Sequence, residues 1–340
     1  MRIILVRLSA LGDIVHTWPL AVAIREARPD AHLSWVVEAP LAPLVEGHPA
    51  VDAVLTTATR RWRSGPFTAR TRAEVGAFKS RVRELQPDLT IDAQGTFKSA
   101  VVTRWSGAPR RVGIARPWRR EAIASLAYTD TLPGSLDHPH VVATNLELVR
   151  AVGGDPPPEP TPPDGRWLLA AASASAPVWP WQEPIAVVLP GAGQPEKILP
   201  PSTLAEIAQH LVALNHSVVV AWGPSERDRA EEVVTLGGSG VHLAPPTNLL
   251  ELTSLLGSAR IVVGGDTGPV HLAASLDVPT LAVFLTTDPT RNGPMGAQVE
   301  IVSGAAPGRG PGGSATTGRA RDVSTGEVCA AVETLLGGGS

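Results

Sequence analysis

The chain has 340 residues, 43% of them hydrophobic and 18% charged, with a formal charge of −3 at neutral pH. That length exceeds what one hydrophobic core usually organises, so two domains of a soluble globular α/β protein are expected. Apolar runs are short (Ile3 to Val6 is cut by Arg7, Ala21 to Ile24 by Arg25), which argues against a signal peptide or membrane span and makes the cytoplasm the expected location.

Charge is unevenly spread. Residues 60–120 hold 15 Lys or Arg against 4 Asp or Glu, a local balance of +11, and the remainder carries −14. A basic stretch in an otherwise acidic chain predicts an anionic partner. Lysine occurs only as Lys79, Lys98 and Lys197. The single Cys329 excludes an internal disulfide and is expected in the core of a terminal helix, in keeping with a reducing compartment.

In chain order, Arg2 to Leu8 reads as a strand, Ile14 to Arg28 as a helix stopped by Pro29, and His32 to Val37 as a second strand. Val51 to Leu55 and Leu89 to Asp92 are further strands, separated by a charged helix from Ala73 to Leu85. The segment Gly153 to Gly165, with six prolines, reads as a linker. A second α/β series follows. Its strands are Ile185 to Leu189, Ser217 to Trp222, Ile261 to Val263 and Thr280 to Phe284. Its helices are Ser202 to Leu214, Glu226 to Leu236, Leu249 to Leu256 and Val270 to Leu276. Ser303 to Gly318 is expected as loop, Ser324-Thr-Gly-Glu327 as a capping box for a last helix, and Gly337 to Ser340 as a frayed end. Alternating strands and helices predict parallel sheets, whose ligands sit beyond the carboxyl ends of the strands.

The segment Gly264-Gly-Asp266-Thr267-Gly268-Pro-Val-His271 runs from an apolar strand into a helix. Backbone N–H groups at such a helix start favour an anion such as a diphosphate, with Asp266 and His271 beside it for hydroxyls and phosphate oxygens. An ordinary capped turn without a ligand explains the same residues. Near the N-terminus, Gly12-Asp13 repeats the glycine-acid turn, and Asp13 serves either as a helix cap or as a general base for a hydroxyl nucleophile. Pro190-Gly-Ala192-Gly193 with Lys197 suits a diphosphate leaving group, and Trp222-Gly-Pro-Ser-Glu226 suits a ribose diol. The chain contains no Asp-x-Asp pair, which weighs against a Mg²⁺-diphosphate arrangement. Trp62, Trp105 and Trp118 interleave with arginines, so they are candidates for base stacking or for burial beneath arginine side chains.

These segments, together with Arg60-Arg61-Trp62-Arg63 and Ile91-Asp-Ala-Gln-Gly95 with Lys98-Ser-Ala, resemble the bacterial ADP-heptose glycosyltransferases of glycosyltransferase family 9 over nearly the whole chain. The resemblance implies a GT-B fold, two Rossmann-like doubly wound domains facing an interdomain cleft. It assigns residues 1–165 to the acceptor, 166–322 to the nucleotide sugar, and 323–340 to a helix packing back on the first domain. It implies inverting, metal-independent transfer of L-glycero-D-manno-heptose from ADP-heptose to Kdo of the lipopolysaccharide inner core, by a cytoplasmic enzyme peripheral to the inner membrane, with no cofactor and no nucleic acid. By resemblance Asp13 is the general base. Ala192, Gly193, Lys197, Glu226, Thr247, Asp266, Thr267, Gly268 and His271 bind the donor; Arg60, Arg61, Lys98, Arg120 and His140 bind the acceptor; no residue binds metal. Where the family usually has Trp-Pro after the lysine, this chain has Ile198-Leu199-Pro200. A different acceptor (a second core heptose or a protein side chain) or a nucleotide-sugar epimerase of the same fold are the alternatives.

Overall fold

A computed structural model describes residues 1–181, 183–308 and 317–337. The chain divides into two compact units, with the boundary between Thr161 and Pro162 inside the proline-rich linker. The first unit is built on six strands: β1 (Arg2–Val6), β2 (His32–Glu38), β3 (Ala53–Thr57), β4 (Leu89–Asp92), β5 (Arg110–Ile114) and β6 (Asp130–Leu132). They form one parallel sheet in the order β3-β2-β1-β4-β5-β6. The order reverses direction between β1 and β4, so the loops leaving these two strands part and open a crevice at their carboxyl ends. β1, β2 and β4 are almost wholly buried, which explains their continuous apolar runs.

The expected long helix Ile14 to Arg28 is two helices, Leu11–Val15 and Trp18–Ala27. Pro19 opens the second, where a missing N–H costs little, and Asn145 donates to the His16 carbonyl at the break. Trp62 is buried and meets Phe78 and Trp105 at ring centroid distances of 5.6 and 6.4 Å. Its indole N–H donates to Glu74. Trp62 therefore belongs to an aromatic core cluster, with Trp105 partly buried against it, rather than to a stacking platform.

Gly113 on β5 leaves the room that Tyr128 occupies: a Cβ there would lie 2.3 Å from the phenol ring. Tyr128 in turn donates to Asp92 Oδ2 at 2.8 Å. Gly113→Ala must displace the ring and break that bond, and it should destabilise the protein by about 1–3 kcal/mol. Urea unfolding reads this as a lower midpoint at unchanged slope; an unmoved midpoint would show that the ring is not confined.

The second unit repeats the architecture with β7 (Ile185–Leu189), β8 (Ser217–Val220), β9 (Val241–Leu243), β10 (Ile261–Gly265), β11 (Thr280–Phe284) and β12 (Val299–Ser303). The parallel order is β12-β11-β10-β7-β8-β9, and the reversal falls between β10 and β7. Ser324 and Glu327 form the expected capping box of the helix Thr325–Gly337. That helix, expected against the first domain, packs on β11, β12 and the helix Pro201–Ala213 of the second unit, because Val328, Ala331 and Val332 enter this unit's core. Cys329, expected in the core, lies on the flank of that face and is half-buried. The loop expected over Ser303 to Gly318 falls partly, and the frayed end almost entirely, outside the described residues.

Candidate active-site residues

In the first unit every sequence-predicted residue follows the carboxyl end of a strand. Asp13 follows β1, Arg60 and Arg61 follow β3, Lys98 follows β4, Arg120 follows β5 and His140 follows β6. Parallel strands put all these loops on one edge, which is why a basic sequence block becomes a basic surface.

Asp13 sits in the first turn of the helix Leu11–Val15, largely shielded from water. Its Oδ1 accepts from Arg120 Nη2 at 2.6 Å and forms an ion pair with Arg7 Nη2, 2.7 Å away, and its Oδ2 accepts the Ala10 N–H at 3.2 Å. Burial alone would raise its pKa, but the two guanidinium charges outweigh that and hold the carboxyl well below the usual carboxylate range. Asp13 is thus ionised at neutral pH. Arg7 was not among the expected site residues. It directly follows β1, is fully buried, and also donates to the Ala93 carbonyl beyond β4, bridging the crevice. In the sequence it looks like an interruption of an apolar run, and nothing there names its partner.

Lys98 donates to Ser9 Oγ at 2.5 Å. Burial lowers its pKa, Glu38 opposes this, and the charges of Arg60, Arg63 and Arg120 lower it further. These cations therefore share one field. Arg63, which the expected set omits, belongs to it. Arg61 does not: it is turned to Glu74 at 2.7 Å and ties the helix Thr59–Ser64 to the helix Ala69–Glu84. Glu38, buried at the end of β2, pins the same short helix by accepting from the Thr59 N–H and hydroxyl. His140 caps the helix Val141–Leu146 by accepting from the Val142 N–H, and its ring meets His16 edge to face at 5.2 Å. Asp92 accepts from the Gln94 and Gly95 N–H groups as well as Tyr128, while burial pushes its pKa up.

In the second unit the expected donor residues also line one sheet edge. Ala192, Gly193 and Lys197 follow β7, Glu226 follows β8, Thr247 follows β9, and Asp266, Thr267, Gly268 and His271 follow β10. Lys197 and Asp266 come from the two strands that flank the reversal, and Lys197 Nζ lies 2.7 Å from Asp266 Oδ2. His271, buried behind Asp266, places Nε2 3.9 Å from Oδ1. Burial raises the Asp266 pKa, yet the His271 and Lys197 contacts prevail and bring it down to about 2. Because this folded value lies below the ordinary 3.8, the pairing stabilises the fold above about pH 4, and that contribution fades as pH falls towards 2.

Thr267 occupies the N-cap of the helix Gly268–Ser275, with Pro269 in its first turn. Gly191, rather than Gly193, is the glycine this turn requires: a Cβ on Gly191 would fall 1.9 Å from Glu226 Oε1, whereas one on Gly193 would meet nothing within 4 Å. Glu226 Oε2 accepts the Gly223 N–H at 2.8 Å, which fixes the carboxylate over that turn. Leu199, which departs from the family's usual Trp-Pro, is buried in the core of the unit and anchors the segment carrying Lys197. Thr247 directly precedes Asn248, whose side chain caps the helix Leu249–Gly257. Among the described residues no three His, Cys, Asp or Glu side chains group in a way that could hold a metal ion.

Two Rossmann-like units with all-parallel named strands define the GT-B fold of glycosyltransferases. The chain belongs to glycosyltransferase family 9 (heptosyltransferase), whose sequence model matches residues 75–312. It is similar to lipopolysaccharide heptosyltransferase 1 of Pseudomonas aeruginosa, with 36% identity over 307 residues covering 89% of this chain and 84% of that protein. It is also similar to the solved structure of Escherichia coli heptosyltransferase WaaC with ADP, at a TM-score of 0.82 and 29% identity, covering 98% of this chain and 100% of that one. The same E. coli enzyme with ADP-2-deoxy-2-fluoro heptose gives a TM-score of 0.77 and 28% identity, covering 100% of both chains.

Proposed function

We propose that this enzyme transfers heptose from ADP-heptose to a Kdo hydroxyl of the lipopolysaccharide inner core, with inversion at the anomeric carbon. The observation that carries the donor half is the order of loops along the second sheet. Asp266, Lys197, Glu226 and Thr247 follow β10, β7, β8 and β9, which are consecutive in space. Three interstrand steps span about 14 Å, a length that suits an extended nucleotide sugar. In this reading Asp266 meets sugar hydroxyls, and Lys197 with the first-turn amides at Thr267 and Gly268 receives the diphosphate. Glu226 takes the ribose diol, and the loop at Thr247 borders the base.

The first unit supplies the acceptor site. Asp13 accepts the proton of the attacking hydroxyl, the oxygen forms a bond to the anomeric carbon, and the bond from that carbon to the diphosphate breaks. ADP leaves with the pair of electrons, and the charge it gains is met by Lys197. The field of Arg60, Arg63, Lys98 and Arg120 receives the carboxylates and phosphates of the acceptor. No helix of the described residues is long and apolar enough to cross a membrane; the reading has the enzyme meet its lipid acceptor from the cytoplasmic face.

A donor panel tests this. ADP-heptose, but not UDP- or GDP-sugars, should give ADP release that depends on Kdo-lipid A and persists in EDTA. Release with a protein acceptor or a heptosylated core instead would replace the acceptor assignment, and loss of activity in EDTA restored by Mg²⁺ would replace the metal-independent one. Replacing Arg60, Arg63 and Arg120 by Ala should raise KM for the acceptor, in a salt-sensitive manner, with far less change in KM for the donor. Equal changes in both would remove the acceptor role of the basic edge.

A further inference from the structure

We propose that Arg7 and Arg120 play different parts at Asp13. Arg7 holds the carboxylate oriented throughout the reaction, while Arg120 leaves it for an anionic group of the acceptor and thereby makes Asp13 a stronger base. The proposal rests on the reading of Asp13 as proton acceptor.

Both guanidinium groups lie against the same oxygen, Oδ1, Arg7 as an ion pair at 2.7 Å and Arg120 as a hydrogen-bonded pair at 2.6 Å. Two adjacent positive charges favour the ionised carboxylate, while Oδ2 accepts the Ala10 N–H. So held, Asp13 is ionised but a weak proton acceptor. The two arginines differ in what holds them. The Arg7 side chain is 2% exposed and donates to the Ala93 carbonyl, and its own backbone carbonyl accepts the Trp35 indole N–H. Withdrawing it would leave a buried charge without its partner, which the interior strongly disfavours. The Arg120 side chain is 43% exposed, on the loop after β5.

The charges around Arg120 favour its release to an anion. Arg7, directly after β1, lies against Asp13, and Asp92 at the end of β4 acts on Arg7. Lys98 lies in the first turn of the helix Phe97–Trp105 that follows β4, Arg60 and Arg63 on the short helix after β3, and Glu38 at the end of β2. His16 caps the helix that carries Asp13. Asp92 is engaged by Tyr128 and two backbone amides, so five cations share chiefly Asp13 and Glu38 as counter-charges. An acceptor carboxylate or phosphate brought to this edge offers Arg120 a second partner while relieving repulsion among the cations. Moving Arg120 takes one adjacent charge and its hydrogen bond away from Oδ1, on which the proton of the acceptor hydroxyl can land, and Arg7 remains to stabilise the charge.

The test uses the whole enzyme with ADP-heptose and Kdo-lipid A, following single-turnover rates against pH. In the native enzyme, the acid limb at saturating acceptor should lie about 1–3 pH units above the acid limb of kcat/KM for the acceptor, since removal of one adjacent cation raises a carboxylate by that amount. In Arg120→Ala the kcat/KM limb should rise to meet the saturating limb. In Arg120→Lys, which keeps the charge, the separation should persist. Independently of turnover, the carboxyl carbon of ¹³C-labelled Asp13 (assigned by its loss in Asp13→Asn) should shift when a soluble Kdo disaccharide is added to the native protein but not to Arg120→Ala. Coincident limbs in the native enzyme, or limbs still apart in Arg120→Ala, would overturn the release of Arg120. Arg7→Lys, chosen to keep a buried cation, should lower kcat on the order of 10²-fold with both KM values little changed, as misplacement of a catalytic group does; an unchanged kcat would overturn the role of Arg7. Full turnover in Asp13→Asn would instead remove the proton-acceptor reading itself, which separates the two failures.

Discussion

Asp13→Asn is expected to lower the rate of heptose transfer by about 10²–10⁴-fold, the usual worth of a positioned general base, and to leave ADP affinity unchanged. The asparagine is isosteric and still accepts from Ala10 through its side-chain oxygen, so the short helix Leu11–Val15 persists. What it loses is the negative charge that meets Arg7 and Arg120. Loss of the ion pairs also leaves Arg7 buried without a counter-charge, so Asp13→Asn should be less stable than the native protein. Folding and chemistry are separable because ADP binding is assigned to residues of the second unit. Equilibrium binding of ADP to the purified variant, measured beside single-turnover transfer, decides the matter. Substantial turnover would make Asp13 a helix-capping residue only. Loss of ADP binding together with turnover would point to misfolding.

The sequence placed Asp13 and Asp266 just beyond strand ends for a physical reason. Parallel strands deliver their function at carboxyl ends, and a glycine-acid turn after an apolar run marks such an end. Strands buried on both faces, Ile185–Leu189 and Thr280–Phe284, were legible to the residue. β5 was not, because Arg110-Arg111 and Gly113 break its apolar pattern. The arginines reach backbone carbonyls of Ala151 and Ala127, and the glycine makes room for Tyr128. Partners distant in sequence stayed hidden for the same reason. Glu74 divides Arg61 from Arg60 across 13 residues, and Arg7 finds Asp13 only once β1 turns into its helix. The resemblance named Gly193 among the donor residues, while the close approach of Glu226 is to Gly191, since a motif alone does not tell which α-carbon a side chain will cover.

Lys197→Ala is expected to lower kcat/KM for ADP-heptose by about 10²–10³-fold, the loss typical when one preorganised charge or donor on a leaving group is removed. Lys197 and Asp266 are 16% and 11% exposed, so their pairing is shielded enough for the lysine to be held at one point at the carboxyl ends of β7 and β10. That ammonium is the cation placed closest to the diphosphate in the proposed donor site, and its removal leaves the departing charge to backbone amides. The pH behaviour of Asp266 gives a second readout. With Lys197 present its carboxyl is held at about 2; without it only His271 and burial remain, so the value should rise. The stabilisation that the native pair contributes above about pH 4 should be smaller in the variant, and the gap between the two proteins in thermal unfolding should narrow as the pH is lowered towards 2, where the native Asp266 also becomes protonated. Replacing Lys197 by Arg should restore much of the stability but little of the transfer, since a planar fork does not place its charge where the compact ammonium does. Donor kinetics at native levels in Lys197→Ala would show that the backbone amides alone carry the leaving group.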